Sequence, residues 1–159
     1  GVVIASDTEP SAWPLAVSMS TRTGRPLVFM RGGAFSPDVA AWLTSNKPAD
    51  VIAVGTVEEM PDVAFAGMTK ASRLNTIDIA KASRIALTLT STTVRAVTVA
   101  GADVTNNRGV IAAASGAPFV YVDLAGLSNV TSWLRRQSLA ALVINLGADA
   151  QLVTKVRRA

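Results

Sequence analysis

Short apolar runs of strand length alternate along this chain with segments whose apolar residues recur at helical spacing. The runs suit strands that are buried on both faces, and the amphipathic segments supply the helices that cover them. Strands separated by helices favour parallel sheets with right-handed crossovers. The pattern therefore predicts an α/β fold. The predicted strands are residues 2–5, 26–30, 51–54, 97–100, 118–122 and 141–146.

Local signals mark where the helices begin and end. Ser36-Pro37 predicts a helix start, because serine is a favoured N-cap and proline fits the first helical position. Gly24 ends the preceding helix, and Lys47-Pro48 ends the helix that Ser36 opens. The predicted helices are residues 14–23, 37–46, 74–87, 103–115 and 128–136, with a polar linker at 88–93 and a further helical segment at 150–159.

The whole pattern recurs at a spacing of about 92 residues, which is the length of a small α/β unit rather than of a solenoid repeat. We predict two tandem copies of a small three-layer unit with a parallel sheet, each ordered βαβαβ. The first copy is residues 1–92, including the connecting helix, and the second is residues 93–159. The matching pairs are Gly24 with Gly116, Pro26 with Pro118, Val28 with Val120, Trp42 with Trp133, Val51 with Val143 and Gly55 with Gly147.

The composition removes several kinds of chemistry. The sequence has no cysteine and no histidine, which excludes disulfides, thiol nucleophiles, imidazole bases and nearly every zinc or copper site. It also contains no nucleotide-binding loop and no nucleophile-elbow motif. We therefore expect a protein with no cofactor, no bound metal and no catalytic residues.

The net charge and the hydropathy of the chain limit the kinds of partner that it is expected to bind. The formal net charge of +4 favours anionic partners, or serves solubility alone. Nucleic-acid binding is not expected, because it needs basic residues interleaved with exposed aromatics, and Trp42 and Trp133 occupy core-like helical positions. No apolar run approaches the ~18 residues of a spanning helix, so membrane insertion is not expected. The chain opens on a strand-like run without a signal peptide, which predicts an excised or mature segment.

Two groups of residues are candidates for holding an anion. Arg31-Gly32-Gly33 follows the second predicted strand, and ligands bind at the carboxyl ends of parallel strands in open α/β sheets. An arginine beside a glycine turn can grip a phosphate or a carboxylate, and the alternative is a turn with one solvated arginine. Lys70 and Arg73 precede the connecting helix, whose N-terminus attracts anions.

Asp7 and Asp103 each follow the first predicted strand of a copy. A carboxylate in this position can hold Mg²⁺, but such a site needs further carboxylates nearby, and only Glu9 is close in the sequence. The alternative is that both residues cap helices. We therefore keep a carboxylate-based Mg²⁺ enzyme with a duplicated core as a functional hypothesis, ranked below the two that are given next.

Several segments resemble the cell wall binding repeat 2 family, whose modules anchor bacterial surface proteins to the Gram-positive wall. The family's repeat opens on an apolar strand and a helix start, which is similar to Val2–Ala5 followed by Pro10–Ala16. Its Gly-X-Pro-Ile-Leu-Leu strand is similar to Gly24–Phe29 and again to Gly116–Tyr121. The resemblance covers nearly the whole chain, although many of its positions are degenerate.

The resemblance implies a non-catalytic anchoring module, located outside the cell in the wall of a Gram-positive bacterium. Its partner would be an anionic wall polysaccharide, of teichoic type or linked to peptidoglycan. Because family members usually carry three modules in a ring, self-association or a third module is expected. The second hypothesis is a structural or protein-interaction domain that only keeps the repeat fold.

By the same resemblance, the two strands that follow Gly-X-Pro serve polymer recognition or module assembly. Judged from the residues alone, they are also consistent with buried central strands. The residues concerned are Pro26, Leu27, Val28, Phe29, Pro118, Phe119, Val120 and Tyr121.

Overall fold

The computed structural model describes residues 1–68, 70–90, 96–101, 118–122, 127–137 and 141–145, with the single positions 154 and 158. Strands and helices alternate through these ranges. The strands are β1 (Val2–Ser6), β2 (Leu27–Arg31), β3 (Ala34–Phe35), β4 (Asp50–Val54), β5 (Lys70–Leu74), β6 (Ala96–Gly101), β7 (Phe119–Val122) and β8 (Ala141–Asn145). The helices are α1 (Trp13–Thr23), α2 (Pro37–Asn46), α3 (Ile79–Thr90) and α4 (Leu127–Arg135).

The first sheet has the strand order β3-β2-β1-β4-β5. All neighbouring strands are parallel except β2 and β3, which form an antiparallel hairpin. The central strand β1 is fully buried from Val2 to Ser6. Such a run of apolar residues forms a strand covered on both faces, as the sequence predicts.

The second sheet has the order β7-β6-β8 and is parallel throughout. This order repeats that of β2-β1-β4 in the first sheet. In each sheet, a residue of the central strand is paired with one residue on each of the two flanking strands. The equivalent sets are Val3 with Leu27 and Ile52, and Thr98 with Phe119 and Val143.

The register corrects one detail of the predicted repeat. Ile52 occupies the place that Val143 occupies in the second sheet, whereas the sequence comparison matched Val51 with Val143. The apolar runs of these two strands look alike in either alignment, so the sequence cannot fix their register to one residue.

Helices cover both faces of the first sheet. Helices α1 and α3 lie on one face, where Leu15 and Ala82 share a buried cluster with Val3. Helix α2 lies on the opposite face, where Leu43 packs in a cluster with Ile4. The crossovers through α1 and α2 place the first sheet between two helical layers, so the predicted α/β fold is confirmed.

Helix α3 joins the two sheets. Its Ala82 and Ala86 belong to the core of the first sheet, and that cluster also contains Tyr121 of β7. On the same helix, Ala80 and Leu87 pack with the valines of β6 and β7 and with α4. The connecting helix that the sequence predicts is therefore a core element of both sheets.

The connecting region differs from the prediction in one further way. Residues 70–74 form β5, where the sequence predicts only the approach to a helix beginning at Leu74. The sequence Lys-Ala-Ser-Arg-Leu is too polar to indicate a strand, and its pairing with β4 supplies the extended conformation. Helix α3 then begins at Ile79 and ends at Thr90, within the predicted linker.

Other boundaries agree with the sequence. The hydroxyl oxygen of Ser36 accepts a hydrogen bond from the amide of Val39 at 3.3 Å, so the predicted N-cap of α2 is confirmed. Trp42 and Trp133 are half-buried against the two cores. The helix predicted at 103–115 lies outside the described residues, as does most of the segment 150–159. None of the described helices has the length and apolar character needed to cross a membrane.

Candidate functional site

The carboxyl ends of β1, β2, β4 and β5 meet at one edge of the first sheet, because these strands are parallel. From β1 the chain crosses to β2, which lies on one side of β1, and it later crosses to β4, which lies on the other side of β1. The edge therefore contains a topological switch point, which is the usual position of a ligand site in open α/β sheets. We call this region, residues 6–9, 31–33, 55–60 and 75–76, the carboxyl edge.

Arg31 lies at the carboxyl edge, at the end of β2. Its Nε is 2.5 Å from Oδ2 of Asp7, and its side chain is 85% exposed. An ion pair this exposed contributes little to stability, because water and salt screen it. The described contacts of Arg31 involve Nε alone, so the two terminal nitrogens face solvent and can donate to an anion.

Gly32 and Gly33 form the turn between β2 and β3. Their φ angles are +54° and +76°, and they connect the paired residues Arg31 and Ala34. Two consecutive residues with positive φ make the tight hairpin turn that glycine adopts most readily. The predicted turn is therefore a defined hairpin, which fixes the position of the Arg31 backbone.

Arg73 and Lys70 do not form the basic cluster that the sequence predicts. Both lie on β5, three residues apart, so their side chains leave opposite faces of the strand. Helix α3 begins only at Ile79, after an intervening 3-10 turn at Thr76–Asp78, so neither residue stands at its N-terminus. The helix boundary predicted at Leu74 was the source of this error.

Arg73 instead holds the segment that follows β4. Its guanidinium donates to the carbonyl oxygens of Thr56 at 3.0 Å and Met60 at 2.7 Å, and it pairs with Asp62 at 2.5 Å. The same group lies over the ring of Phe65, 5.6 Å from the ring centroid. The side chain is mostly buried, which makes Arg73 a structural residue rather than a free cation.

Lys70 lies at the other end of the sheet. It is paired in register with Asp50, at the amino ends of β5 and β4. It is exposed, and it lines a small cavity of 120 Å³ with Arg25 and Asp50. Arg25 is itself paired with Asp50 at 2.7 Å. Lys70 and Arg31 are therefore separate positive charges, Lys70 at the amino ends and Arg31 at the carboxyl ends of the strands of the first sheet.

The carboxyl edge also carries a network of hydroxyl and carboxylate groups that the sequence did not predict. Ser6 and Thr8 both donate to Glu59, with the Ser6 bond at 3.1 Å, and Thr76 donates to Glu9. These residues lie far apart in the chain and meet only because β1, β4 and β5 are neighbours. The one available signal was the position of Glu58-Glu59 shortly after a strand end.

The network does not make a metal site among the residues that the structure describes, where no three acidic side chains are close enough to share an ion. Asp7 is paired with Arg31 and caps no helix. The first helical turn is Pro10–Ala12, and its N-cap residue is Glu9 rather than Asp7. The side chain of Glu9 makes no capping hydrogen bond. The capping role expected for Asp7 is therefore wrong, and Asp103 lies outside the described residues.

The two strands after Gly-X-Pro differ in exposure. In β2 and the residue before it, Pro26 and Phe29 are exposed, while Leu27 and Val28 are half-buried. The Phe29 ring meets Trp13 edge to face, with ring centroids 5.9 Å apart. The first of these strands is therefore not the buried central strand that its sequence also allows.

In the second sheet three of the corresponding residues, Pro118, Val120 and Tyr121, have described side chains, and these are covered at least in part. Val120 and Tyr121 are 0% and 4% exposed, and Pro118 is half-buried. Phe119 lies in β7, opposite Thr98. Burial raises the pKa of Tyr121 well above its usual range, so its phenol stays neutral.

These sheets and helices define an α/β protein with mostly parallel sheets flanked by helices. Among solved structures, Cwp6 from Clostridium difficile is similar to this chain, with a TM-score of 0.67 over 91% of this chain and 25% of that one. The sequence identity is 14%, so the likeness shows a shared fold with that protein. This chain spans about a quarter of its length. No family model and no curated protein matches the chain.

Proposed function

We propose that this chain is a non-catalytic module that attaches a surface protein to the bacterial cell wall. The observation that supports this most is the fold that it shares, over nearly its whole length, with the cell wall protein Cwp6. The residues that resemble the cell wall binding repeat 2 family point to the same role. The ligand of such a module is an anionic wall polymer, either of teichoic type or linked to peptidoglycan.

Arg31 is the residue that we propose as the main anion contact. Arg25 and Arg73 are engaged with Asp50 and Asp62, whereas the terminal nitrogens of Arg31 face solvent. The hairpin turn at Gly32 and Gly33 leaves room beside the guanidinium, because nothing lies within 4 Å of a Cβ placed on Gly32. A phosphate or carboxylate can reach the arginine there without moving the backbone.

Lys70 is a second contact in this proposal, at the opposite edge of the sheet. A long polymer can span both edges of one module, whereas a small ligand cannot. Each contact is a solvated ion pair and is weak, so affinity depends on several contacts along one polymer chain. Binding of this kind weakens as salt is added.

A sedimentation assay on purified cell walls tests this proposal. Walls are used intact and after chemical removal of their anionic polymers, and the fraction of chain bound is measured at low and high salt. We expect binding to intact walls that falls at high salt and disappears from stripped walls. Equal binding to both preparations would reject the polymer as ligand and favour a protein-interaction domain.

Charge-matched variants locate the contact. Arg31→Gln and Lys81→Gln each remove one positive charge, but Lys81 is an exposed residue of α3 and is not one of the residues of the carboxyl edge. We expect Arg31→Gln to weaken binding by up to about fivefold, the value of one exposed ion pair, and Lys81→Gln to have little effect. Equal losses in both variants would show that only net charge matters and that Arg31 is no specific contact.

A further inference from the structure

A pocket lies between the second half of α2 and residues 64–68, on the face of the first sheet that α2 covers. Its volume is about 520 Å³, which is within the range of roughly 300–1,000 Å³ that is usual for small-molecule sites. The residues that line it include Phe35, Leu43, Lys47, Ala66 and Met68. None of its lining residues belongs to the carboxyl edge, so the pocket is separate from the anion contact proposed at Arg31.

The walls of this pocket are apolar and are held in place by the protein itself. Leu43 is 9% exposed, and Ala64 and Met68 pack against the same core cluster. The wall at residues 64–68 keeps its shape through local hydrogen bonds, in which the amide of Ala64 donates to Pro61 at 2.9 Å and that of Met68 donates to Phe65 at 3.0 Å. The pocket is therefore formed before any ligand enters it.

The polar groups of the pocket are few. Among the described residues that line it, Lys47 alone carries a charge, and its side chain is exposed. No described carboxylate forms an ion pair with Lys47. The hydroxyl of Thr44, which also lines the pocket, already donates to the carbonyl of Ala40 at 2.8 Å. An apolar cleft with one free cation fits a ligand that has an apolar body and one anionic end.

The backbone of Lys47 is strained. Its φ and ψ angles are +42° and +60°, and it is the one described residue other than glycine with a positive φ. Glycine is the usual residue in this conformation at the end of a helix, and Pro48 favours an extended conformation for the residue before it. Strained residues of this kind cluster at ligand sites, where the side chain is needed.

The geometry points to a binding site for a free amphipathic carboxylate, of the class of the medium-chain fatty acids. The apolar tail lies between α2 and residues 64–68, and the carboxylate meets the ammonium group of Lys47. One ammonium matches the single charge of a carboxylate, whereas a phosphate monoester carries nearly two charges at neutral pH. This inference goes beyond wall attachment and does not depend on it.

A titration of the full ¹⁵N-labelled chain with decanoate tests the site. We expect saturable amide shifts at Thr44, Ala66 and Gly67. Hexanoate has four methylenes fewer, and each buried methylene contributes about a fourfold gain in affinity. Because the pocket is open to solvent on one side, we expect hexanoate to bind at least about tenfold more weakly than decanoate. Decyltrimethylammonium, which has the same tail and a cationic head, should bind more weakly than decanoate.

Variants of Lys47 separate its ligand contact from its place in the fold. Lys47→Gln should weaken decanoate binding by up to about fivefold, the value of one exposed ion pair, and Lys81→Gln should leave it unchanged. Lys47→Gly should lose the same contact and yet raise the melting temperature, because glycine adopts a positive φ without strain. A lysine with a structural role alone would not show these opposite changes.

Filling the pocket gives an independent test. Ala66 lines it, is exposed, and has φ and ψ angles of −57° and 127°, which a larger residue also adopts. Ala66→Phe should therefore keep the fold and abolish the decanoate shifts at Thr44 and Gly67. Val63→Phe is the matched control, because Val63 is 77% exposed and is not among the described residues that line the pocket.

Several results would overturn the inference. Absence of saturable shifts below the concentration at which decanoate forms micelles would mean that the pocket takes no such ligand. Equal binding of decanoate and decyltrimethylammonium, or unchanged affinity in Lys47→Gln, would mean that the ammonium group does not hold the head. Shifts at Ala66 and Gly67 that depend on chain concentration, without decanoate, would assign the pocket to a side chain of a second copy.

Discussion

The carbonyl oxygens of Pro26 and Pro118 have the same role in two different sheets. That of Pro26 accepts a hydrogen bond from the amide of Val3 at 2.9 Å, and that of Pro118 accepts one from the amide of Thr98 at 2.7 Å. Each proline thus starts the ladder between the first and second strands. This agreement is what two tandem copies would give, and both the duplication and its boundary between residues 92 and 93 stay predictions.

The contact between Ser83 and Tyr121 is expected to hold the two sheets together. The amide of Tyr121 donates to the hydroxyl oxygen of Ser83 at 3.0 Å, and that hydroxyl donates to the carbonyl of Ala80 at 3.0 Å. Ser83→Ala removes the acceptor and leaves the amide of Tyr121 buried without a partner, so the free energy of unfolding should fall by about 1–3 kcal/mol. Urea denaturation followed by circular dichroism measures it. Thr88→Ala is the control, because Thr88 makes the same kind of bond to its own helix, to Ile85 at 2.7 Å, on the exposed side. A loss no larger for Ser83→Ala than for this control would contradict the assignment.

Arg73 is expected to matter for stability rather than for binding. Arg73→Met leaves the carbonyl oxygens of Thr56 and Met60 without their donor, and the free energy of unfolding should fall by about 2–3 kcal/mol. Lys70→Met, on the same strand but exposed, should change it by less than about 0.5 kcal/mol. Chemical denaturation of the two variants gives the comparison. If both variants were equally stable, Arg73 would be a free cation, as the sequence first indicated.

The buried strands of the first sheet could be predicted because their sequence carries the signal locally. Val2–Ala5 and Val51–Val54 are apolar throughout, and the Ser36-Pro37 pair marks a helix start by its own chemistry. Strand β5 could not be predicted in this way. Its residues are polar, and only the neighbouring β4, about twenty residues earlier, makes them extended.

The same distinction between local and long-range information applies to the candidate site. The position of Arg31 at a strand's carboxyl end follows from the order of strands and helices, which the sequence shows. The partners of Arg73 and the contacts of Glu59 depend on which strands become neighbours. Those contacts join residues that are up to 53 positions apart, as Ser6 and Glu59 are, and no local pattern encodes them.

The hairpin turn gives a test of backbone strain without a change in packing. Gly32 has a φ of +54°, and a Cβ placed there meets no atom within 4 Å. Gly32→Ala should therefore lower the free energy of unfolding by about 1–2 kcal/mol through conformation alone. Gly32→Asn should lower it less, because asparagine adopts this conformation more readily. Equal effects in thermal or urea unfolding would show that the turn does not keep a positive φ in solution.

Tyr121 predicts how stability depends on alkaline pH. Its pKa in the folded chain lies above the value of about 10 for an exposed tyrosine, because burial disfavours the phenolate. Below pH 10 both states keep the proton, so the contribution of the neutral phenol is fully present. Above pH 10 the unfolded chain loses its proton first, and the folded state is destabilised by up to about 1.4 kcal/mol per pH unit until its own pKa is reached.

Tyr121→Phe isolates this effect from the titration of lysines, which both proteins share. We expect the free energy of unfolding of the unsubstituted chain to fall relative to that of the variant as pH rises from 10, while their difference is constant below pH 9. Because the chain has a single tyrosine, the phenolate absorbance reports on this residue alone. Its titration should occur above the usual range in the folded chain and return to about 10 in urea. A native titration at the ordinary value would mean that α3 does not cover β7 in solution, and the joint between the sheets would have to be reconsidered.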